Sequence, residues 1–171
     1  KNKFNTEWTK SDTIVASIGQ GFALSTPLQL AVMTSRIVTN GQKVLPTIEK
    51  RNNSSNKFSK IESLKEETYS FIKKGMFDSV NNINGTAYAS RNIVPNNYMA
   101  GKTATSQVRR ISMSEREEGI KKNEELPRKM RDHALFVGFF PYDKPLYAFS
   151  VVVEHGGSGS KTAAPIARDL C

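Results

Sequence analysis

The feature that most constrains the fold is a pair of apolar segments separated by a very short connection. Residues 134–140 and 147–154 are rich in Phe, Val and Ala, and Pro-Tyr-Asp-Lys-Pro occupies the turn between them. Strands joined by so short a turn run antiparallel, because a parallel pair needs a crossover of about a dozen or more residues. Since 147–154 is nearly all apolar, we expect it to be a central strand that is covered on both faces.

Capping signals predict two helices ahead of these strands. Thr26 and Pro27 are typical of the first residues of a helix, which the apolar spacing extends to Asn40-Gly41. Ser63 is the expected N-cap of the second helix, because Glu66 three residues later completes a capping box. Asn and Gly residues end this helix after about position 81.

Further segments complete the predicted order of elements. We expect a short strand over 44–48, a strand over 100–108 and a terminal helix over 161–171, with a flexible Gly-Ser loop over 156–160. The charged stretch 109–131 is a long excursion of the kind that is usually functional or mobile. Helices followed by strands with short turns indicate an α+β fold, an antiparallel sheet flanked by helices.

The strand over 100–108 carries the side chains best suited to chemistry. It contains Ala-Gly-Lys-Thr-Ala-Thr-Ser-Gln, and side chains along a strand alternate between its faces. Lys102 and Ala104 therefore share one face, and Thr103 and Thr105 share the other. Such a strand can hold an anion, and its backbone N–H groups can point at a developing oxyanion. For so short a motif, a surface strand with a solvated lysine is the alternative.

The lysine strand is one of several motifs that together resemble the class B penicillin-binding proteins. In chain order these are Ser17-Ile18-Gly19-Gln20-Gly21, Thr26-Pro27-Leu28-Gln29-Leu30-Ala31, Gly85-Thr86-Ala87, Lys102-Thr103-Ala104-Thr105 and Phe136-Val137-Gly138-Phe139-Phe140-Pro141. The resemblance covers essentially the whole chain. Three features are most similar to the elongation-type branch of that family. They are Gln107-Val108, the charged stretch 109–131 (the charged insert) and Arg131-Asp132-His133-Ala134-Leu135.

The resemblance implies a peptidoglycan D,D-transpeptidase that cross-links stem peptides by serine acyl transfer during cell elongation and binds β-lactam antibiotics. It implies catalytic roles for Lys102, which would relay a proton, and for Thr105, whose N–H would form half of the oxyanion hole. Thr103 and Thr105 would bind the substrate carboxylate. Ala104, which also borders the substrate, stands where the family usually has glycine. Its methyl points to the nucleophile side, where it either is accommodated by a small shift or crowds the site.

The resemblance also implies that residues 1–171 are the C-terminal part of a transpeptidase domain of the β-lactamase-like fold. Its nucleophilic serine and S-x-N loop would lie upstream, with two further strands of a five-stranded sheet, so this chain alone is expected to be inactive. No S-x-x-K or S-x-N match within it is convincing. Ser54–Lys57 lies in an Asn/Ser-rich loop, Ser158–Lys161 is surrounded by glycines, and Ser79-Val80-Asn81 lies at a helix end on its apolar stripe.

The net charge of +9 raises the alternative of a non-catalytic basic module that binds an acidic partner. The positive residues are scattered and lack the interleaved aromatics of single-strand binders, so we expect a solvated basic surface and no nucleic-acid partner. The family implies a location at the periplasmic face of the bacterial inner membrane, with the anchor upstream. It also allows other cell-elongation proteins as partners.

Neither a metal nor a cofactor is expected. His133 and His155 are single histidines at strand ends, and no His/Cys spacing typical of a metal site occurs. Each lies beside an acidic residue, and we expect a hydrogen-bonded structural role over a catalytic one. Glycine spacing typical of phosphate binding is also lacking.

Overall fold

The computed structural model describes residues 7–49, 59–61, 64–109 and 111–171. Within these ranges the chain forms, in order, α1 (Lys10–Ser17), α2 (Pro27–Val38), α3 (Glu66–Asn81), β1 (Ala100–Ser106), α4 (Met113–Glu118), β2 (His133–Phe140), β3 (Tyr147–Val153) and α5 (Ala164–Leu170). Short 3₁₀ turns occur at Tyr88–Ser90, Asn123–Glu125 and Arg128–Met130, and a π-helical turn at Gly159–Ala163 leads into α5.

The three strands form one antiparallel sheet in the order β1-β2-β3. Lys102 of β1 lies opposite Val137 of β2, which lies opposite Ser150 of β3. The predicted hairpin is therefore confirmed. The predicted central position of 147–154 is wrong for the sheet of the described residues, because β2 lies in the middle and β1 and β3 lie at the edges. An edge strand has every second N–H and C=O free of its neighbour.

Helices cover both faces of this sheet, and the α+β prediction is confirmed. One face packs on α5 and the residues around the end of α3: Val80, Ala87, Met99, Ala134, Phe136, Ala163, Ala164 and Ala167. On the opposite face, Met76 of α3 is buried against Ala100 and Phe139, with Val38 of α2 at the margin. Phe136 and Phe139 are three residues apart in β2, so they point to opposite faces.

The start of α2 follows from its sequence. The Gln29 N–H donates to Thr26 Oγ1 at 3.2 Å, and the Thr26 N–H donates to Gln29 Oε1 at 2.8 Å. This reciprocal capping box, with Pro27 in the first turn, satisfies donors that no helical carbonyl can reach. Asn40 and Gly41 then leave the helix in the left-handed region.

The start of α3 differs from the prediction. The expected cap, Ser63, lies outside the described residues, and the helix begins at Glu66 with Lys65 at the N-cap and no side-chain cap. Glu66 and Glu67 instead place two negative charges at the positive end of the helix dipole. Glu66 also pairs with Lys60 at 2.7 Å, an exposed contact of small energetic weight.

The predicted strand over 44–48 is wrong. These residues are irregular, and the nearest β-bridge joins Gln42 to Lys60. Pro46 has no N–H to offer a ladder, and the Val44 carbonyl accepts from the Arg36 guanidinium at 3.2 Å. The local β-propensity is thus overridden by a side-chain contact with α2.

The loop over 156–160, predicted to be flexible, is packed. Gly157 and Gly159 are buried, and the Gly157 N–H donates to the Asp132 carbonyl at 2.8 Å. The absence of side chains allows this loop to lie directly on the sheet backbone. The predicted terminal helix follows it, and no helix in the described ranges has the length and apolarity needed to cross a bilayer.

Candidate active site

Lys102 lies in a cleft between the exposed edge strand β1 and helix α3. The cleft has a volume of about 410 Å³ and is lined by Gly75, Asp78, Ser79, Asn82, Asn84, Gly85, Thr86 and Lys102. The Lys102 ammonium donates to the Thr103 carbonyl at 2.7 Å. Its side chain is exposed, so the ammonium is accessible at the rim of the cleft.

A chain of three hydroxyl groups runs beside this lysine. Thr103 Oγ1 lies 3.2 Å from Thr86 Oγ1, which lies 3.2 Å from Ser79 Oγ at the end of α3. Hydroxyl groups both donate and accept, so this chain can orient the Thr103 hydroxyl toward a ligand on β1. The Gly85-Thr86-Ala87 motif therefore comes close to the lysine strand in space, although 17 residues separate Thr86 from Thr103.

The register of β1 places the other predicted site residues. Ala104 lies opposite Leu135 and Thr105 opposite Ala134, so Lys102 and Ala104 face α2 and α3, while Thr103 and Thr105 face the α5 side. Ala104 and Thr105 are exposed. The structure thus brings the four residues of the lysine motif to one open strand edge.

The charged insert is held against the end of β1 at two places. Arg109 forms a two-pronged ion pair with Glu115 of α4, with both N–O distances 2.6 Å. The hydrogen bond from Arg109 lowers the pKa of the Glu115 carboxyl. Both side chains are only 19% exposed, so the pair is shielded more than an ordinary surface contact.

The second attachment is centred on Asp132, immediately before β2. Its carboxylate accepts from the Val108 N–H at 3.2 Å and from the Asn123 side-chain amide at 3.2 Å. The Asp132 N–H in turn donates to Asn123 Oδ1 at 2.9 Å. One residue therefore ties together the end of the lysine strand, the insert and the start of β2, a role that sequence reasoning missed because the partners are 9 and 24 residues away.

Of the possible nucleophile motifs, Ser158–Lys161 is engaged in structural contacts. Ser158 Oγ accepts from the Lys161 N–H at 3.4 Å as a helix cap, while the Lys161 ammonium pairs with Glu124 at 3.2 Å. Ser54–Lys57 lies outside the described residues.

The Ser79-Val80-Asn81 segment is also structural in part. The Asn81 amide donates to the carbonyls of Phe77 and Met99, at 3.0 and 2.9 Å, and so connects α3 to the entrance of β1. The segment lies at the end of α3 with Val80 buried on the apolar stripe, as predicted, while the neighbouring Ser79 lines the Lys102 cleft.

The two histidines contact each other beside the sheet. The backbone N–H of His155 donates to His133 Nδ1 at 2.9 Å, and the centroids of the two imidazole rings are 4.8 Å apart. His155 Nδ1 lies 3.0 Å from the Arg131 carbonyl. Both contacts fit the expected structural role, and the described part of the chain holds no cluster of three His, Cys, Asp or Glu side chains suited to a metal.

The fold and the lysine strand define the class of protein. A family model of the penicillin-binding protein transpeptidase domain matches residues 2–171, and the chain belongs to this family. The peptidoglycan D,D-transpeptidase MrdA of Haemophilus influenzae is 34% identical over a gapped alignment of 185 positions, which covers 99% of this chain and 27% of that protein.

Solved structures indicate the same branch of the family. The penicillin-binding protein 2 of Helicobacter pylori, in its complex with MreC, matches 98% of this chain with a TM-score of 0.77 and 31% identity. Penicillin-binding protein 2 of Pseudomonas aeruginosa matches with a TM-score of 0.69 and 29% identity, again over 98% of this chain. The chain spans 28% and 33% of these two structures. The resemblance to penicillin-binding protein 2 is therefore confirmed.

Proposed function

We propose that residues 1–171 are the C-terminal part of the transpeptidase domain of a peptidoglycan D,D-transpeptidase, and that they carry its lysine strand. The observation that supports this most is the open edge of β1, where Lys102 lies beside the Thr103–Thr86–Ser79 hydroxyl chain. An accessible cation, oriented hydroxyls and free strand N–H groups are what acyl transfer to a serine requires around its nucleophile.

Each residue of the motif has a role in this proposal. The Lys102 ammonium, accessible in the cleft, relays a proton to and from the nucleophile. The hydroxyls of Thr103 and Thr105 bind the carboxylate of the donor peptide or of a β-lactam. The Thr105 N–H stabilises the oxyanion that forms at the scissile carbonyl.

The nucleophile belongs, in this proposal, to an upstream part of the same protein that packs on α2. Leu24 and Leu28 are 88% and 60% exposed, and they line an apolar groove of about 640 Å³ along that helix. An exposed apolar groove of this kind is typical of a surface that another element covers. The isolated chain would then be inactive.

The substrates and location follow from the family. Peptidoglycan stem peptides are the proposed substrates and β-lactams the inhibitors. The Helicobacter relative was solved in complex with MreC, so contact with other elongation proteins is part of the proposal. The site of action would be the periplasmic face of the inner membrane, through an anchor outside these residues.

Labelled penicillin tests the proposal. We expect the complete protein to form a covalent adduct at an upstream serine, and the isolated chain to form none by intact mass. In the complete protein, Lys102→Ala should lower the acylation rate by a factor of about 100 or more while the melting temperature changes little. An adduct on Ser158 or Ser160, or normal acylation of the Lys102→Ala variant, would contradict it.

A further inference from the structure

The turn that carries Thr86 is fixed against the end of α3 by the small residue on either side of it. A Cβ atom at Gly85 would overlap the backbone carbonyls of Asp78 and Ser79, so the absence of a side chain lets the turn lie this close. The Ala87 side chain is buried, and its N–H donates to the Ser79 carbonyl at 2.9 Å. Both neighbours of Thr86 are therefore held by α3, while the Thr86 side chain faces the cleft of Lys102.

This turn places the Thr86 hydroxyl between two other hydroxyl groups. Thr86 Oγ1 lies 3.2 Å from Thr103 Oγ1 and 3.2 Å from Ser79 Oγ. The Lys102 ammonium, 3.5 Å from Thr103 Oγ1, is a second, more distant donor to the same oxygen. A hydroxyl has one proton to donate and two lone pairs that accept. Thr103 can therefore accept from Thr86 and from Lys102 and keep its own proton for a ligand.

A carboxylate bound at Thr103 sets the direction of this chain of hydrogen bonds. An ionised carboxylate only accepts, so the Thr103 hydroxyl must donate its proton to the ligand. Thr103 then accepts from Thr86, and Thr86 accepts from Ser79, so that each hydroxyl bonds in one direction. Hydrogen bonds in such a chain polarise one another, and a bond to a charged acceptor is roughly twice as strong as a neutral one. The chain therefore favours a charged ligand over a neutral ligand of the same shape.

We infer that Thr86 is a positioning residue of the transpeptidase site, which holds the Thr103 hydroxyl with its proton toward the substrate and so favours donors that end in a free carboxylate. Ser79 supports Thr86 from the end of α3. The inference rests on the proposed function, because it takes Thr103 as a residue that binds the carboxylate. It also gives each residue of the Gly-Thr-Ala motif a purpose: the glycine allows close approach to α3, the threonine supplies the hydroxyl and the alanine anchors the turn.

The test measures the second-order rates at which one penicillin and its methyl ester acylate the complete protein. The ester keeps the β-lactam ring but has no charge on the carboxyl group. We expect Thr86→Val, which replaces the hydroxyl with a methyl group of similar size, to slow acylation by the penicillin about tenfold. Acylation by the ester should change much less, so the preference of the site for a carboxylate should fall. Thr86→Ser keeps the hydroxyl and should recover most of the rate.

A double-mutant cycle separates positioning from a merely structural role. If Thr86 acts through Thr103, Thr86→Val should have little further effect on the penicillin rate in a Thr103→Val background, because the hydroxyl that it orients is already gone. Losses that simply add in the double variant would show that Thr86 acts independently of Thr103 and would overturn the inference.

Controls separate this inference from the proposed function. Thr68→Val, at an exposed threonine of α3 that does not line the Lys102 cleft, should leave both acylation rates unchanged. The inference is overturned if Thr86→Val reacts with penicillin at the wild-type rate, if it slows penicillin and ester equally, or if Thr68→Val causes the same loss. Failure of the wild type to react with penicillin would instead contradict the proposed function.

Discussion

Gly159 lies directly on the backbone of Ala104. A Cβ atom built on Gly159 would be 2.5 Å from the Ala104 carbonyl oxygen and 2.6 Å from the Leu135 carbonyl oxygen, with the Ala104 nitrogen at 3.1 Å. Real Cβ atoms do not approach backbone atoms this closely. The first turn before α5 therefore supports the lysine strand from the face opposite to Lys102.

We predict that Gly159→Ala destabilises the protein and disturbs the lysine strand. The added methyl meets backbone, which can yield only by moving β1 or the π-helical turn, and such overpacking costs about 1–3 kcal/mol. The free energy of unfolding and the rate of acylation by penicillin in the complete protein should both fall.

Gly75→Ala is the matched control for stability. Gly75 lies inside α3, and a Cβ there meets nothing within 4 Å. Alanine should leave the stability unchanged or raise it by up to about 1 kcal/mol, because glycine is the poorer helix former. If Gly159→Ala is as well tolerated as Gly75→Ala, the close contact with Ala104 is not a constraint.

Asp132 is predicted to position the end of the lysine strand. Asp132→Ala removes the acceptors of the Val108 N–H and the Asn123 amide, so the strand end and the insert lose a shared attachment. We expect penicillin acylation of the complete protein to slow by about tenfold, with a smaller effect on melting, because a displaced site loses rate steeply. Asp132→Asn keeps one acceptor oxygen and should recover part of the rate; equal loss in both variants would contradict a positioning role.

The insert should detach from the strand end at low pH. The Arg109 hydrogen bond lowers the pKa of Glu115 below its ordinary value of 4.5. For a carboxyl whose pKa is lower in the folded state, the stabilisation is complete above 4.5 and is lost as the pH falls through the folded value. Hydrogen-exchange protection of the α4 amides should therefore drop in that window, while β2 stays protected.

Glu115→Gln should remove this pH dependence and leave α4 weakly protected even at neutral pH. Glu117→Gln, on the same helix, is the matched control, since Glu117 has no ion-pair partner within the described ranges. A pH profile of α4 protection that is identical in wild type and Glu115→Gln would show that the ion pair does not hold the insert.

Sequence reasoning succeeded where the cause of the structure is local. Thr26 with Gln29 is a capping box within four residues, and the faces of Lys102 and Thr103 follow from the period of a strand. It failed over 44–48, where Arg36 binds the Val44 carbonyl, and missed the contact of Thr86 with Thr103. These depend on how elements pack, which no short pattern encodes. The glycines at 157 and 159 led to the prediction of a flexible loop, but in the fold both are buried and allow the loop to pack closely on the sheet backbone.

Ala104→Gly is predicted to speed the acylation of the complete protein by β-lactams. The Ala104 methyl is exposed on the face shared with Lys102, where the upstream nucleophile element is proposed to approach. The strand cannot relieve crowding by moving away, because Gly159 already contacts the Ala104 backbone on the other face. Glycine should therefore let the Thr105 N–H align with the carbonyl oxygen of the β-lactam, at a cost of up to about 1 kcal/mol in strand stability.

This prediction is checked by the second-order acylation rates of both forms with one penicillin. Ser106→Gly, at the exposed end of β1 and on the same face, controls for a general loosening of the strand by glycine. An acylation rate in Ala104→Gly that is equal to or slower than that of the unchanged protein would mean that alanine fits this site without crowding.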